Sequence, residues 1–217
     1  MNKLVITGEN DNIIYLNNDT NIVINPNTNN HVTLIVEQPC TCHVLVESKS
    51  VSTINCISQS SFNLELKLEA DATITWRNLI KATKELDFNI NAHHLTNSTS
   101  HITLRGITED DGSINYAINS IAPASAINAS VHQDSKIIML NNKPSTITPN
   151  LLIETTEIDA SHGAVLGGFD EDSIFYLESR GINKTEAIKL LLSSFIYGDY
   201  FSKSQLPVIK KYLTKER

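Results

Sequence analysis

Residues 62–69 read FNLELKLE, and apolar and polar side chains alternate along the whole stretch. Successive side chains of an extended chain point to opposite faces, so the apolar residues at 62, 64, 66 and 68 share one face. The asparagine, glutamate and lysine between them share the other face. This stretch therefore predicts a strand with one buried face and one solvated face.

Similar short segments follow one another about every ten residues between Val32 and Glu157, as in HVTLIVE, STINCIS, ELDFNINA and HITLRGI. Many short, evenly spaced strands are typical of a sandwich, a barrel or a solenoid. Hairpins would need Asn-Gly or Asp-Gly turns, and only residues 110–113 (DDGS) supply one. We therefore favour a parallel β-helix over a sandwich. A period of about 20 residues, with two or three strands per coil, would suit the pattern.

The pattern becomes helical after residue 170. Asp170 is the expected N-cap of a first helix, and Gly181 is the expected stop after it. Asn183 is the expected N-cap of a second helix, and a third is expected from about 204 through 215. The change of pattern predicts a β-helix core domain over 1–169 and a C-terminal helical segment over 170–217.

Composition indicates a globular, acidic protein. Hydrophobic residues make up 41% of the 217 residues and charged residues 19%, and the formal net charge is −7. Nucleic acid and anionic membrane surfaces attract basic patches, so neither is an expected partner. No apolar run approaches the roughly 20 residues that span a bilayer, and the first residues do not resemble a signal peptide. We expect a cytoplasmic location.

Residues 161–195, SHGAVLGGFDEDSIFYLESRGINKTEAIKLLLSSF, resemble the C-terminal signature of the SufB/SufD family of iron–sulfur cluster assembly proteins. Residues 104–154 resemble the late β-helix coils of that family, including Gln133 and Pro149. The SHGA motif is the SufD-like form. Family members are usually about twice as long and carry an additional N-terminal helical region, so the resemblance implies a SufD-like chain shortened at its N-terminus.

The resemblance implies a right-handed parallel β-helix and a non-catalytic scaffold role. Such proteins bind an ABC-type ATPase, SufC, through their C-terminal helices, so ATP hydrolysis is expected in the partner. They pair through their β-helices and pass a nascent cluster to apo iron–sulfur proteins. A transient cluster is expected, with no tightly bound cofactor. A homodimer and a heterodimer with a SufB-like subunit both remain open.

Three groups of candidate residues follow from the resemblance. His162 is the candidate cluster-assembly residue, because its small neighbours leave the imidazole accessible and imidazole is a suitable iron ligand. The alternative is that His162 hydrogen-bonds a backbone carbonyl and so seals the junction between the β-helix and the helices. The dimer interface is expected at Lys143, Pro149 and His162. The ATPase-binding residues are expected to be Phe175, Tyr176, Ser179, Arg180, Gly181 and Ile182.

Cys40, Cys42 and Cys56 are weaker candidates for cluster or metal ligands. Thiolates are the usual ligands of iron–sulfur clusters, but alternation puts Cys40 and Cys42 on one face of a strand, and free cysteines are usually buried. Core packing is the favoured interpretation. The paired histidines His93 and His94, together with His101 and His132, are expected to have surface or ladder roles.

Enzymatic interpretations find little support in the sequence. It contains no Walker A, G-x-S-x-G, H-E-x-x-H or dinucleotide-binding glycine motif. The alternative from a different class is a metal-dependent β-helix or cupin-like enzyme acting on a small molecule, which would require histidines clustered on one face.

Overall fold

The computed structural model describes residues 2–8, 11–198, 207, 209 and 210. Within these residues, fourteen strands form two parallel sheets of seven strands each, here called sheet A and sheet B. Sheet A contains β1 (Asn2–Ile6), β3 (Thr20–Ile24), β5 (Cys40–Val46), β7 (Phe62–Leu68), β9 (Glu85–His93), β11 (Ser113–Ala122) and β13 (Thr146–Ile153). Sheet B contains β2 (Asp11–Leu16), β4 (Asn29–Val36), β6 (Val51–Ser58), β8 (Thr73–Ala82), β10 (Thr99–Thr108), β12 (Ala129–Met139) and β14 (Ile158–Gly167).

The strand order confirms a parallel β-helix with two strands per coil. Consecutive strands alternate between the sheets, and each strand pairs in parallel with the strand two places along the chain. The length of a coil is not constant. Lys3 pairs with Asn21, 18 residues later, whereas Thr99 pairs with Ser130, 31 residues later. This lengthening explains why the sequence shows no sharp repeat at the expected period.

One corner of the coil is built from residues with positive φ. Asn27, Lys49, Asp71, Asn97 and Asn128 have φ between 54° and 61°, and each precedes a strand of sheet B. Asparagine and aspartate tolerate this left-handed conformation because their side chains hydrogen-bond locally. The side-chain Nδ2 of Asn97 donates to Asp71 Oδ1 at 2.9 Å, which ties successive coils together. These corner residues thus adopt the left-handed conformation for which a hairpin turn would use glycine.

The one hairpin signal, residues 110–113, forms a corner and not a hairpin. It joins β10 to β11, which lie in different sheets. Gly112 is required there because a Cβ at this position would collide with the backbone carbonyl of Ala82. The turn therefore passes too close to the preceding coil for any side chain.

The core lies between the two sheets, on the inner faces of the coils. All four apolar residues of the 62–69 stretch are buried in β7, as the alternation predicts. Phe62 stacks on Trp76 of sheet B with ring centroids 6.5 Å apart. Each such side chain contributes roughly 1.5–3 kcal/mol when it is fully buried. Continuous burial along the inner columns therefore holds the two sheets together.

Two helices follow the last strand: α1 (Glu171–Ser179) and α2 (Lys184–Tyr197), here called the helical arm. Asp170 caps α1 by accepting from the Ser173 amide at 3.2 Å, and Asn183 caps α2 by accepting from the Glu186 amide at 3.0 Å. The third expected helix lies largely outside the described residues, although residues 207, 209 and 210 are helical. No helix in the described part of the chain is long and apolar enough to span a membrane.

The end of the helical arm packs on the outer face of sheet B. Ile35, Ile57 and Leu79 stand in register on β4, β6 and β8, and each is no more than 2% exposed. Ile196 and Tyr197 of α2 pack against this apolar row, together with Ile209. Both faces of sheet B are therefore covered along this row.

Candidate functional site at the open end of the β-helix

The C-terminal end of the β-helix is uncovered within the described residues. β13 pairs only with β11, and β14 pairs only with β12, so both strands have an unpaired edge; together they are called the open end. No residue of β14 is buried. Unpaired edges expose a row of backbone donors and acceptors and are templates for association. The open end is therefore the surface best suited to a second β-sheet.

The inner face of β14 would be core if another coil followed. Its inner residues Ala160, His162, Ala164 and Leu166 stand in register with residues of β12 that are all buried. Leu166 is 43% exposed, whereas its register partner Ile137 is fully buried. Within the described residues, no further coil or cap covers the inner face of β14.

His162 lies at the end of an inner column that runs through five coils. The column contains Val32, Ile54, Trp76, Ile102 and Gln133, one from each strand of sheet B from β4 to β12. His162 stands next, in register with Gln133, and its side chain is exposed. The sequence predicted an exposed imidazole at the change from strands to helices. The structure places it within the last strand and on its inner face.

A second group of polar side chains lies on the outer face of the same strands. His132 Nδ1 is 2.8 Å from Ser161 Oγ of β14, and His132 Nε2 is 3.5 Å from Asp159 Oδ2. The His101 ring is 6.3 Å from that of His132. Burial, followed by the nearby His132, lowers the pKa of His101. This ladder fastens the edge strand to β12, as expected for these histidines.

The two other predicted interface residues lie beside the open end. Pro149 is in β13, in register with the buried Ile118, and proline is tolerated there because β13 is an edge strand. Lys143 is exposed in the connection before β13, where its Nζ lies 3.3 Å from Asp111 Oδ1. An exposed ion pair of this kind contributes little to stability. Participation of these residues in a dimer contact stays a prediction.

The predicted ATPase-binding residues lie together on and just after α1. No residue of α1 is buried, and Phe175 and Tyr176 are 71% and 58% exposed. The Arg180 guanidinium lies 5.3 Å from the centroid of the Tyr176 ring.

The remaining predicted residues form the end of α1. Ser179 Oγ donates to the Tyr176 carbonyl, and Gly181 takes φ +84° to end the helix. Ile182 is half-buried, and its amide donates to the Leu177 carbonyl at 3.2 Å. The helix α1 therefore presents exposed aromatic side chains, and its C-terminal end is closed by local hydrogen bonds.

The apolar side chains of α2 are only partly buried. Ala187 is the one fully buried residue of this helix, and Leu190 is 51% exposed. A cavity of about 370 Å³ lies between the two helices, lined by Asp170, Asp172, Ser173, Tyr176, Leu177 and Leu191. The arm therefore presents apolar surface beyond that used to pack on sheet B.

The three cysteines are buried in the core. Cys42 stands in register with Leu64, and Cys56 with Asn78, both on coils remote in sequence from β14. Burial, with a smaller contribution from Cys40, raises the pKa of Cys42 to about 12. Among the described residues, no three His, Cys, Asp or Glu side chains are grouped so that they could hold a metal ion. The structure does not bring the cysteines together with His162.

Sequence reasoning missed two features of the structure. The first is a contact, here called the clasp, between Arg105 of β10, Lys136 of β12 and Phe195 of α2. Arg105 Nη1 donates to the Phe195 carbonyl at 2.6 Å, and its guanidinium lies 5.6 Å from the ring centroid. The residues are up to 90 positions apart in the chain, so no local pattern signals this contact.

The second missed feature is His94. Its pair partner His93 is exposed, as alternation predicts, but His94 is 1% exposed and not at the surface. Its ring nitrogens lie 3.1 and 3.2 Å from the hydroxyls of Ser98 and Ser100. Burial lowers its pKa to about 4. Serines four and six positions after His94 were the only available signal.

Comparison with known proteins identifies the family. Residues 27–195 match the family model described as SUF system FeS cluster assembly, SufBD core domain. An iron–sulfur cluster assembly SufBD family protein of Mycobacterium leprae is 38% identical over 78 residues, which are 36% of this chain and 20% of that protein. The iron–sulfur cluster assembly protein SufD of Bacillus subtilis is 32% identical over 100 residues, covering 46% and 23%.

The SufD protein of Escherichia coli is 43% identical over 47 residues, which are 22% of this chain and 11% of that protein. In each of these comparisons the match spans less than a quarter of the relative's length. The family model, in contrast, covers most of this chain, including every predicted site residue from Cys40 to Ile182. The chain belongs to the SufBD core family.

Proposed function

We propose that this chain is a SufD-like scaffold subunit of an iron–sulfur cluster assembly complex. The observation that carries the proposal is the open end, where an unpaired parallel strand leaves core-type side chains and His162 exposed. Such an end is completed when a second β-helix pairs with it. Membership of the SufBD core family and the likeness to SufD proteins support this role.

In this proposal a second subunit completes the set of cluster ligands. A cluster held by protein is usually bound by four ligands, whereas the described residues contain no group of three metal-binding side chains. His162 contributes one nitrogen at the interface, and the remaining ligands come from the paired subunit. The cluster is a passing cargo of the complex and is handed on to apo-proteins.

The helical arm binds a SufC-type ABC ATPase in this proposal. Clusters of exposed aromatic and arginine side chains are typical of binding hot spots, and Phe175, Tyr176 and Arg180 form such a cluster on α1. The carboxyl end of α2 is tied to β10 and β12 through the clasp. Lys136 of the clasp is in register with Val165 of β14. In this proposal, closure of the ATPases pulls on α2 and, through β12, moves the edge strand that carries His162.

The ATPase contact is tested by a pull-down. The tagged chain is mixed with the SufC-type ATPase encoded in the same genome, with and without ATP. We expect a stable complex, and we expect the double substitution Phe175→Ala/Tyr176→Ala to weaken binding at least about tenfold, as the loss of a hot spot does. Lys84→Ala, an exposed change between β8 and β9 and outside the helical arm, is the matched control. Failure of the unchanged chain to bind the ATPase refutes this part of the proposal.

The cluster role is tested by anaerobic reconstitution with iron and sulfide in the assembled complex. We expect His162→Ala to lower the amount of bound cluster, whereas His43→Ala, an exposed histidine on β5, leaves it unchanged. Sedimentation of the same samples reports whether the chain pairs with itself or with a SufB-like subunit. Equal cluster content in wild type and His162→Ala would refute a direct role for this imidazole.

A further inference from the structure

Gln133 is a buried residue that spans the last two coils of the β-helix. It lies on the inner face of β12 and is 2% exposed. Its Nε2 donates to Ser120 Oγ of β11 at 2.8 Å and to the backbone carbonyl of Asn150 in β13 at 3.1 Å. The amide therefore reaches from sheet B to sheet A and bridges a covered coil and the open end.

These two bonds determine which way the amide faces. A backbone carbonyl can only accept a hydrogen bond, so the atom facing the Asn150 oxygen must be the NH₂ group. The other amide atom, Oε1, is then a buried acceptor, and it has no hydrogen-bond partner among the described residues. Native proteins rarely leave a buried acceptor unpaired. A donor from the neighbouring coil would satisfy it.

The residue in register with Gln133 on that coil is His162. We propose that Gln133 is a positioning residue, whose Oε1 accepts the N–H of one imidazole nitrogen of His162 and fixes the ring tautomer. This inference rests on the proposed function of His162. The bond forms when the ring turns toward the covered coil, and the exposed setting of His162 leaves room for that rotation.

The chemical consequence concerns the other ring nitrogen. A neutral imidazole carries one proton, so a hydrogen bond from one nitrogen leaves the lone pair on the other. That nitrogen then faces away from the covered coil, toward the surface where the second subunit would dock. Metal-binding histidines are commonly oriented in this way by an acceptor behind the ring. Gln133 would therefore orient His162 for coordination before iron binds.

Ser135 provides an internal comparison. It is also on the inner face of β12, it is 1% exposed, and its Oγ has no partner among the described residues. Its register partner on β14 is Ala164, which has no polar side chain. A general effect of removing a buried polar group should therefore appear at Ser135 as well. An effect through the imidazole should appear only at Gln133.

The test is the tautomer of His162, read from nitrogen-15 NMR shifts of the free chain at neutral pH. We expect one dominant tautomer in wild type and in Ser135→Ala, and a mixture in Gln133→Met, which keeps the length of the side chain but has no oxygen acceptor. Gln133→Leu also has no oxygen acceptor and should give the same mixture, so it takes the place of the methionine variant if that variant fails to fold. The same tautomer in wild type and Gln133→Met would overturn the inference.

A second readout is iron(II) affinity of the complex assembled with its partner subunits. Loss of an orienting residue typically weakens metal binding about 10- to 100-fold, and we expect a loss of this size in Gln133→Met but not in Ser135→Ala. If the tautomer depends on Gln133 but His162→Ala leaves cluster content unchanged, the proposed function fails and the positioning role stands. If cluster content depends on His162 but substitution of Gln133 leaves the tautomer unchanged, only this inference fails.

Discussion

Substitution of Arg105 by alanine should release the end of the helical arm from sheet B. The Phe195 carbonyl lies in the last turn of α2, where carbonyls have no partner within the helix. Arg105 supplies that partner from β10, and it also lies over the Phe195 ring. The side chain thus acts as a distant cap for α2.

The size of the effect follows from these two contacts. A hydrogen bond from a charged donor contributes about 1.5–3 kcal/mol, and a partly exposed cation–π contact contributes about 0.5–1 kcal/mol. Their loss should lower the free energy of local opening at the end of α2 by about 2–4 kcal/mol. Since 1.4 kcal/mol is a factor of ten, the opening constant should rise about 30- to 700-fold.

Amide hydrogen exchange measures this change directly. The Gly198 amide, which donates to the Ser194 carbonyl at 3.0 Å, is a suitable reporter because it closes the helix. Amides in β7, remote from the clasp, should exchange as in wild type. Lys136→Ala removes only a contact of 5.9 Å to the Phe195 ring and should change exchange about fivefold or less. Unchanged exchange at the end of α2 in Arg105→Ala would refute the capping role.

Three further predictions concern stability and reactivity. Gly112→Ala should destabilise the fold by about 3 kcal/mol or more, because the added Cβ would collide with the Ala82 carbonyl. Thermal unfolding measures this loss, with Gly167→Ala as the control, because a Cβ at Gly167 has no other atom within 4 Å. Cys42, whose pKa is raised to about 12, should resist alkylation at pH 8 in the folded chain and react once urea unfolds it. Rapid labelling of the folded chain would contradict that. The pKa of His94 is lowered to about 4, so the folded state favours the neutral ring. The free energy of unfolding should therefore fall by about 3 kcal/mol as the pH drops from 6.5 to 4. His94→Gln should lose this pH dependence in urea titrations, and an equal pH dependence in both proteins would argue against the role of His94.

Much of the architecture was predictable because its signals are local. Alternation in residues 62–69 specifies a strand and its buried face, and few hairpin turns favour parallel coils over a sandwich. The caps Asp170 and Asn183 and the stop at Gly181 depend on one turn of backbone each. The structure confirms each of these. The resemblance in residues 161–195 also led to the correct family.

The candidate site was predictable only in part. Residue types and small neighbours pointed to His162 as exposed, and it is exposed. Its inner-face position and its register with Gln133 depend on how coils of unequal length stack. The exposure of Leu190 on α2 likewise depends on what the helix packs against, which helical periodicity does not specify.

The sequence by itself determined that this protein is a series of parallel strands followed by a helical arm, because periodicity, caps and turn residues act within a few positions of one another. The tertiary structure alone decided the number of sheets, the register between coils and the clasp between Arg105 and Phe195. The physical reason is that backbone ladders accept any register that buries the inner face. The long-range packing of side chains chooses among those registers.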